Sequence, residues 1–169
     1  IKSDGLIEAT KNHDQVVVFY LYKGDTFKEK EAQKWWLSKS LSNFQKKLSV
    51  LNINLEIVET NSFKLFFDNL VKRNDFEIYW NKVYEPDFLK FDDYLSKNLK
   101  NKKINYKKFK GNTLNEIDEI KKNDGTPFKV FTPFWRNAEK YFLEKISPKE
   151  KIITQKNLIS FHGKKIQNF

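Results

Sequence analysis

Cysteine is absent from the 169 residues, which excludes disulfides, thiolate metal sites and cysteine nucleophiles together. Methionine is absent as well, an initiator included, so Ile1 is expected to lie inside a longer chain. Arginine is scarce: Arg73 and Arg136 stand within a total of 32 basic residues, so the positive charge is almost all lysine. Bidentate guanidinium recognition of phosphate or guanine therefore has little to work with. No apolar run approaches the roughly 18–20 residues that a membrane span requires, and no charged-then-apolar leader opens the sequence. A soluble, cytoplasmic protein without a membrane partner is the expectation.

Histidine is limited to His13, ahead of a predicted strand, and His162 near the end; both are expected to be ordinary surface residues, and no His cluster offers a metal site. The five glycines form neither Gly-x-Gly-x-x-Gly nor Gly-x-x-x-x-Gly-Lys-Ser/Thr, and no Gly-x-Ser-x-Gly elbow occurs. Standard nucleotide loops and serine hydrolysis are thus unsupported. The carboxylate pairs Asp92/Asp93 and Glu29/Glu31 read as solvated helix faces.

What is present suffices for one domain: 39% hydrophobic residues, with 16 Phe, 7 Tyr and 4 Trp, against 32% charged. The net charge of +10 favours a polyanionic partner, held through phosphates rather than through base edges.

Apolar periodicity alternates between strand and helix. Residues 4–12 read as a short helix with Asp4 as its cap, and residues 15–22 (QVVVFYLY) as a strand buried on both faces. Gly24 and Asp25 end it. A long helix over residues 29–48 follows, apolar at Ala32, Trp35, Trp36, Leu37, Leu41, Phe44 and Leu48. Then come strand 54–58, helix 63–71, strand 77–80, a helix from Pro86 to about Leu99, and strand 104–109. Strands separated by helices predict a doubly wound α/β fold, a mostly parallel sheet of about four to five strands with helices on both faces. A polar loop over residues 110–129 leads to a last helix, from Thr132 and Pro133 to Ser147 and Pro148; residues 149–169 show no period and read as linker or tail.

Two runs stand out against this background. One is residues 79–86 (YWNKVYEP), at the carboxyl end of a predicted strand, where open α/β sheets place ligands. On chemistry alone it reads either as a site or as a capped β-to-α turn. The other is residues 126–137 (TPFKVFTPFWRN), whose aromatics read as core or as a docking face for another domain.

Together these runs resemble the N-terminal α/β domain of the DNA photolyase and cryptochrome family. Residues 16–20 (VVVFY) resemble its second strand, and residues 32–41 (AQKWWLSKSL) the helix that follows. Asn81 with Tyr84, Glu85, Pro86 and Asp92 resembles its Asn…Tyr-Glu-Pro…Arg-Asp stretch, and residues 127–135 (PFKVFTPFW) the segment that closes the domain. The resemblance implies a Rossmann-like antenna domain over residues 1–146 and, in residues 147–169, a linker toward an FAD-binding helical domain not contained here. It implies light-driven repair of pyrimidine dimers in DNA by reduced FAD, or cryptochrome signalling; a stand-alone nucleotide-binding protein that merely shares the sheet is the other alternative.

Catalysis, a carbon–carbon lyase reaction, would belong to the complete protein, so no catalytic residue is assigned in this chain. A second chromophore, a folate, deazaflavin or flavin antenna, would lie near Asn81, Tyr84, Glu85, Asp92 and Gln33, with the loop over residues 23–30. Trp35, Trp36, Trp80 and Trp135 are expected to pack rather than carry electrons. The chain departs from the family's pattern at Phe91, where Arg is usual, at Phe88, where folate binders carry Glu, and at Gln33, where some deazaflavin binders carry Arg. It also begins just after the family's first strand, which is central in a 3-2-1-4-5 order. Without that strand the sheet would fall into two halves with exposed edges.

Overall fold

Ser3 has an extended backbone and its hydroxyl accepts a hydrogen bond from Leu6 N at 3.3 Å, which starts helix α1 (Asp4–Asn12). The cap is therefore Ser3 and not Asp4, whose carboxylate lies inside the first turn, where it favours the helix dipole. The computed structural model describes residues 3–27, 30–73, 75–111, 113, 116, 119–144 and 150–159.

After α1 come β1 (Val17–Tyr22), a 3-10 turn (Gly24–Phe27), α2 (Glu31–Ser49), β2 (Asn54–Glu59), α3 (Phe63–Leu70), β3 (Ile78–Asn81), α4 (Pro86–Asn101), β4 (Tyr106–Phe109) and α5 (Phe131–Glu144). The α/β alternation is as the periodicity predicts. The end expected for the last helix, at Ser147 and Pro148, lies outside the described residues, as do His162 and Glu29.

β1 pairs in parallel with β2, Val17 opposite Asn54 through Tyr22 opposite Glu59; β3 pairs in parallel with β4, Ile78 opposite Tyr106 through Asn81 opposite Phe109. Among the described residues no strand joins β1 to β3, so the sheet is divided into two two-stranded ribbons. Each has its own core. Leu6 and Ala9 of α1 join Leu41 and Leu48 of α2 over Leu55 and Ile57, whereas Val71, Leu95 and Leu99 gather with Phe67 and Phe91 beside β3 and β4. Helices α1 and α2 thus serve one face, α3 and α4 the other, the doubly wound arrangement.

Three expectations about burial fail. β1 is half-buried along its whole length rather than enclosed, because its edge away from β2 borders a cavity. On α2 only Leu41 and Leu48 are buried, and Trp35 and Trp36 are 64% and 65% exposed. At about 100° per residue these two lie roughly 120° and 140° around the helix from Leu41, off the inward stripe. Of the four tryptophans Trp80 packs, stacked on Tyr106 at 5.4 Å; Trp135 is 43% exposed and stacks on Phe131, itself 70% exposed. Phe131 and Trp135 of α5 therefore form a surface stack, not core.

Residues 150–159 strap across the amino-terminal ribbon. Gln155 N donates to Leu51 O at 2.8 Å, Asn52 Nδ2 donates to Gln155 O at 3.0 Å, and Ile153 N donates to Thr10 Oγ1 at 3.2 Å. Ile152 packs on the first core, and Gln155 is buried.

Candidate functional site: the carboxyl end of β3

β3 ends at Asn81, and the chain turns through Lys82, Val83 and Tyr84 into α4, whose first position is Pro86, preset for a helix start. Asn81 uses both ends of its amide within the fold: Nδ2 donates to Lys110 O at 2.8 Å, and Oδ1 accepts from Ser3 Oγ at 3.2 Å. Tyr84 Oη accepts from Gly111 N at 3.3 Å. Backbone crowding explains the glycine, since a Cβ there would lie 2.0 Å from Lys82 O and 2.9 Å from the Tyr84 ring.

Asp92, one face of α4 away, accepts from the indole N–H of Trp80 and from Lys108 Nζ, the latter at 2.9 Å. Its side chain is only 14% exposed, so the reading of Asp92 as part of a solvated face is corrected: a tryptophan donor and a lysine draw it inward, while Asp93 stays exposed. Glu85 caps α4 through its backbone with no side-chain cap bond, and is exposed. Gln33 is exposed on α2.

One turn thus gathers Asn81, Tyr84 and Glu85, with Asp92 reached through Trp80. A cavity of about 880 Å³ lies between β1 and β3; Asn81 and Asp92 line it, whereas Tyr84, Glu85 and Gln33 do not. The polar groups of Asn81, Tyr84 and Asp92 are engaged by the fold, whereas among the described residues the exposed Glu85 carboxylate and Gln33 amide are the ones left to meet a ligand. In the loop over residues 23–30, Lys28 and Glu29 lie outside the described residues.

A second polar cluster was not foreseen. His13 Nε2 sits 3.0 Å from Glu77 Oε2 and 3.1 Å from Tyr79 Oη, and Tyr79 Oη donates to Glu77 at 2.6 Å. His13 is therefore half-buried and bonded rather than an ordinary surface histidine. The tyrosine bond, helped by His13 and Asn105, holds the Glu77 carboxyl below its ordinary value against the opposing effect of burial. Burial first, then Glu77, pushes Tyr79 up. The strand alternation of Glu77 and Tyr79 was a legible signal for half of this cluster; the histidine, 64 residues away, was not.

Among the described residues no group of three or more His, Cys, Asp or Glu side chains could hold a metal ion, and no helix is long and apolar enough to cross a membrane.

Residues 2–151 match the DNA photolyase family. The deoxyribodipyrimidine photo-lyase of Agrobacterium fabrum (strain C58 / ATCC 33970) is 25% identical over 134 residues, which cover 79% of this chain and 28% of that protein. The crystal structure of a bacterial class III photolyase from Agrobacterium tumefaciens shares the fold, with a TM-score of 0.70 at 23% identity over 97% of this chain and 34% of that one. The chain therefore spans about a third or less of these relatives' length. The family match over most of the sequence agrees with the parallel, doubly wound architecture, and the chain belongs to the DNA photolyase family.

Proposed function

We propose that this chain is the antenna-supporting α/β part of a deoxyribodipyrimidine photolyase, a larger cytoplasmic flavoprotein that repairs pyrimidine dimers in DNA with light. The observation that carries this reading is the family match over residues 2–151. Residues 1–146 form the α/β domain, and residues 147–169 lead on to an FAD-binding helical domain. Bound there, reduced FAD supplies the electron for repair; no residue of this chain is assigned to it. DNA is met by the complete protein, with lysines of this part adding phosphate contacts that fall off steeply with salt.

A folate, deazaflavin or flavin antenna would lie at the carboxyl end of β3, where the Tyr84 ring offers an aromatic face and the exposed Glu85 carboxylate makes no cap bond to α4. Asn81 and Asp92 shape the turn, and polar selection falls on Glu85 and Gln33. The purified chain is titrated with riboflavin 5′-phosphate, a methenylated folate and a hydroxylated deazaflavin, and binding is read from absorption and fluorescence. Binding of one of them, weakened several-fold in Glu85→Gln and Gln33→Ala, is expected. No binding of any, or binding indifferent to both variants, would overturn the antenna placement. The chain alone is expected to leave thymine dimers in DNA unrepaired under light, and repair by it would overturn the division of labour.

A further inference from the structure

Helix α2 buries Leu41 and Leu48 in the first core, with Leu37 and Phe44 packed against it. At about 100° per residue, Trp35, Trp36, Lys39, Asn43, Lys46 and Lys47 all fall within about 60° of one line on the opposite side of the helix. All six are exposed, Trp35 and Trp36 to 64% and 65%. With a rise of about 1.5 Å per residue the stripe is about 18 Å long, two indoles at its start and three ammonium groups along the rest.

The stripe carries charge of one sign. Glu31, the acid of α2, lies in the first turn about 100° off that line, and among the described residues no ion pair uses Lys39, Lys46 or Lys47. Lys39 Nζ instead lies over the Trp35 ring, 5.9 Å from its centroid, as the i, i+4 spacing allows. Aromatic rings are enriched in surfaces that meet partners relative to surfaces that meet only water. A partner for this stripe offers flat apolar rings at one end and repeated negative charge along the remainder, which is the chemistry of a nucleic-acid strand. An anionic membrane fits less well, because an interfacial helix sinks a continuous apolar face, and here Lys39, Asn43, Lys46 and Lys47 occupy the outward stripe. A duplex also fits less well: its base faces are stacked on one another. A single strand offers base faces and phosphates together.

We propose that the outer face of α2 binds a short single-stranded stretch of nucleic acid without reading its sequence. Bases stack on Trp35 and Trp36, and successive phosphates meet Lys39, Lys46 and Lys47. With lysine rather than arginine along the stripe, phosphates are met as point charges and base edges are not read. Gln33 lies about 100° off the line, so this face and the antenna residues are separable by substitution, and the inference stands whether or not a chromophore binds.

The test follows the anisotropy of a fluorescein-labelled oligothymidylate of about twelve residues as the purified chain is added at low salt, with tryptophan emission read alongside. Binding is expected to quench indole emission, to favour the single strand over a duplex of the same length, and to weaken at least about tenfold in Trp35→Ala/Trp36→Ala. In Lys39→Gln/Lys46→Gln/Lys47→Gln the slope of log affinity against log salt should fall by about 2, at about 0.7 per phosphate on a single strand. Lys100→Gln/Lys102→Gln, at the exposed end of α4, should change affinity by less than about twofold. All the substituted side chains are exposed, so thermal midpoints should match that of the parent chain. Absence of binding, or a loss in the α4 variant as large as in the α2 variants, would overturn the proposal. So would binding to phosphatidylserine vesicles but not to oligothymidylate, which would assign the face to a membrane, or self-association abolished by the tryptophan variant, which would assign it to a second copy of the chain.

Discussion

Ser3 Oγ donates to Asn81 Oδ1 at 3.2 Å, joining residues 78 positions apart. The same hydroxyl accepts from Leu6 N, and the same amide donates to Lys110 O, so a single relay runs from the first turn of α1 through the end of β3 to the exit of β4. Asn81 is thereby a fastener of three elements. Asn81→Ala is expected to lower stability by about 1–3 kcal/mol, the range for leaving partners of half-buried hydrogen bonds unmatched. Urea denaturation measures it; an unchanged midpoint would show that the relay holds nothing.

Gly111 is fixed by contact rather than by backbone conformation. In Gly111→Ala the methyl would meet Lys82 O and the Tyr84 ring, so the β3–α4 turn and the β4 exit must part. A loss of about 1–3 kcal/mol is expected, as for other forced overpacking. Thermal unfolding of Gly111→Ala beside Gly125→Ala, where nothing lies within 4 Å but φ is +78°, separates contact from conformational strain.

Acid sensitivity should centre on Glu77. Its folded carboxyl titrates below its unfolded value of about 4.3, so the charged form favours the folded state. That contribution is complete above about pH 4.3 and is lost as pH falls through the lower folded value. Denaturation midpoints measured from pH 6 to pH 3 should fall less steeply in Glu77→Gln than in the parent chain. Parallel curves would rule the cluster out as a source of acid lability.

The two cores should fail separately. Leu48 and Leu99 are both fully buried, one in each cluster, and truncation of either to alanine is expected to cost about 2–5 kcal/mol. In Leu48→Ala, hydrogen exchange should accelerate in β1 and β2 before it does in β4, and in Leu99→Ala the order should reverse. Equal acceleration everywhere in both variants would mean one cooperative unit.

The alternation of strand and helix, and with it the doubly wound design, was legible because period-2 and period-3.6 runs are local properties. Side-chain destinations were less so. Trp35 and Trp36 extend an apolar pattern wider than the face α2 buries, and a list of apolar positions does not say which stripe faces inward. Asp92 reads as one of two solvated acids until Trp80 and Lys108, on neighbouring strands, are brought against it. Gln155 lies in a stretch without period, and its burial comes from bonds to Thr10 and Leu51 more than a hundred residues earlier, which no spacing rule encodes.

The division of the sheet also has a mechanical consequence. In a continuous sheet the hydrogen-bond ladder fixes the twist between every pair of neighbouring strands. Among the described residues no ladder spans β1 and β3, so their relative twist is set by helix packing and by side-chain fasteners such as Ser3–Asn81 and His13–Glu77. Rotation of one ribbon against the other is then resisted by those helix contacts and fasteners rather than by a ladder.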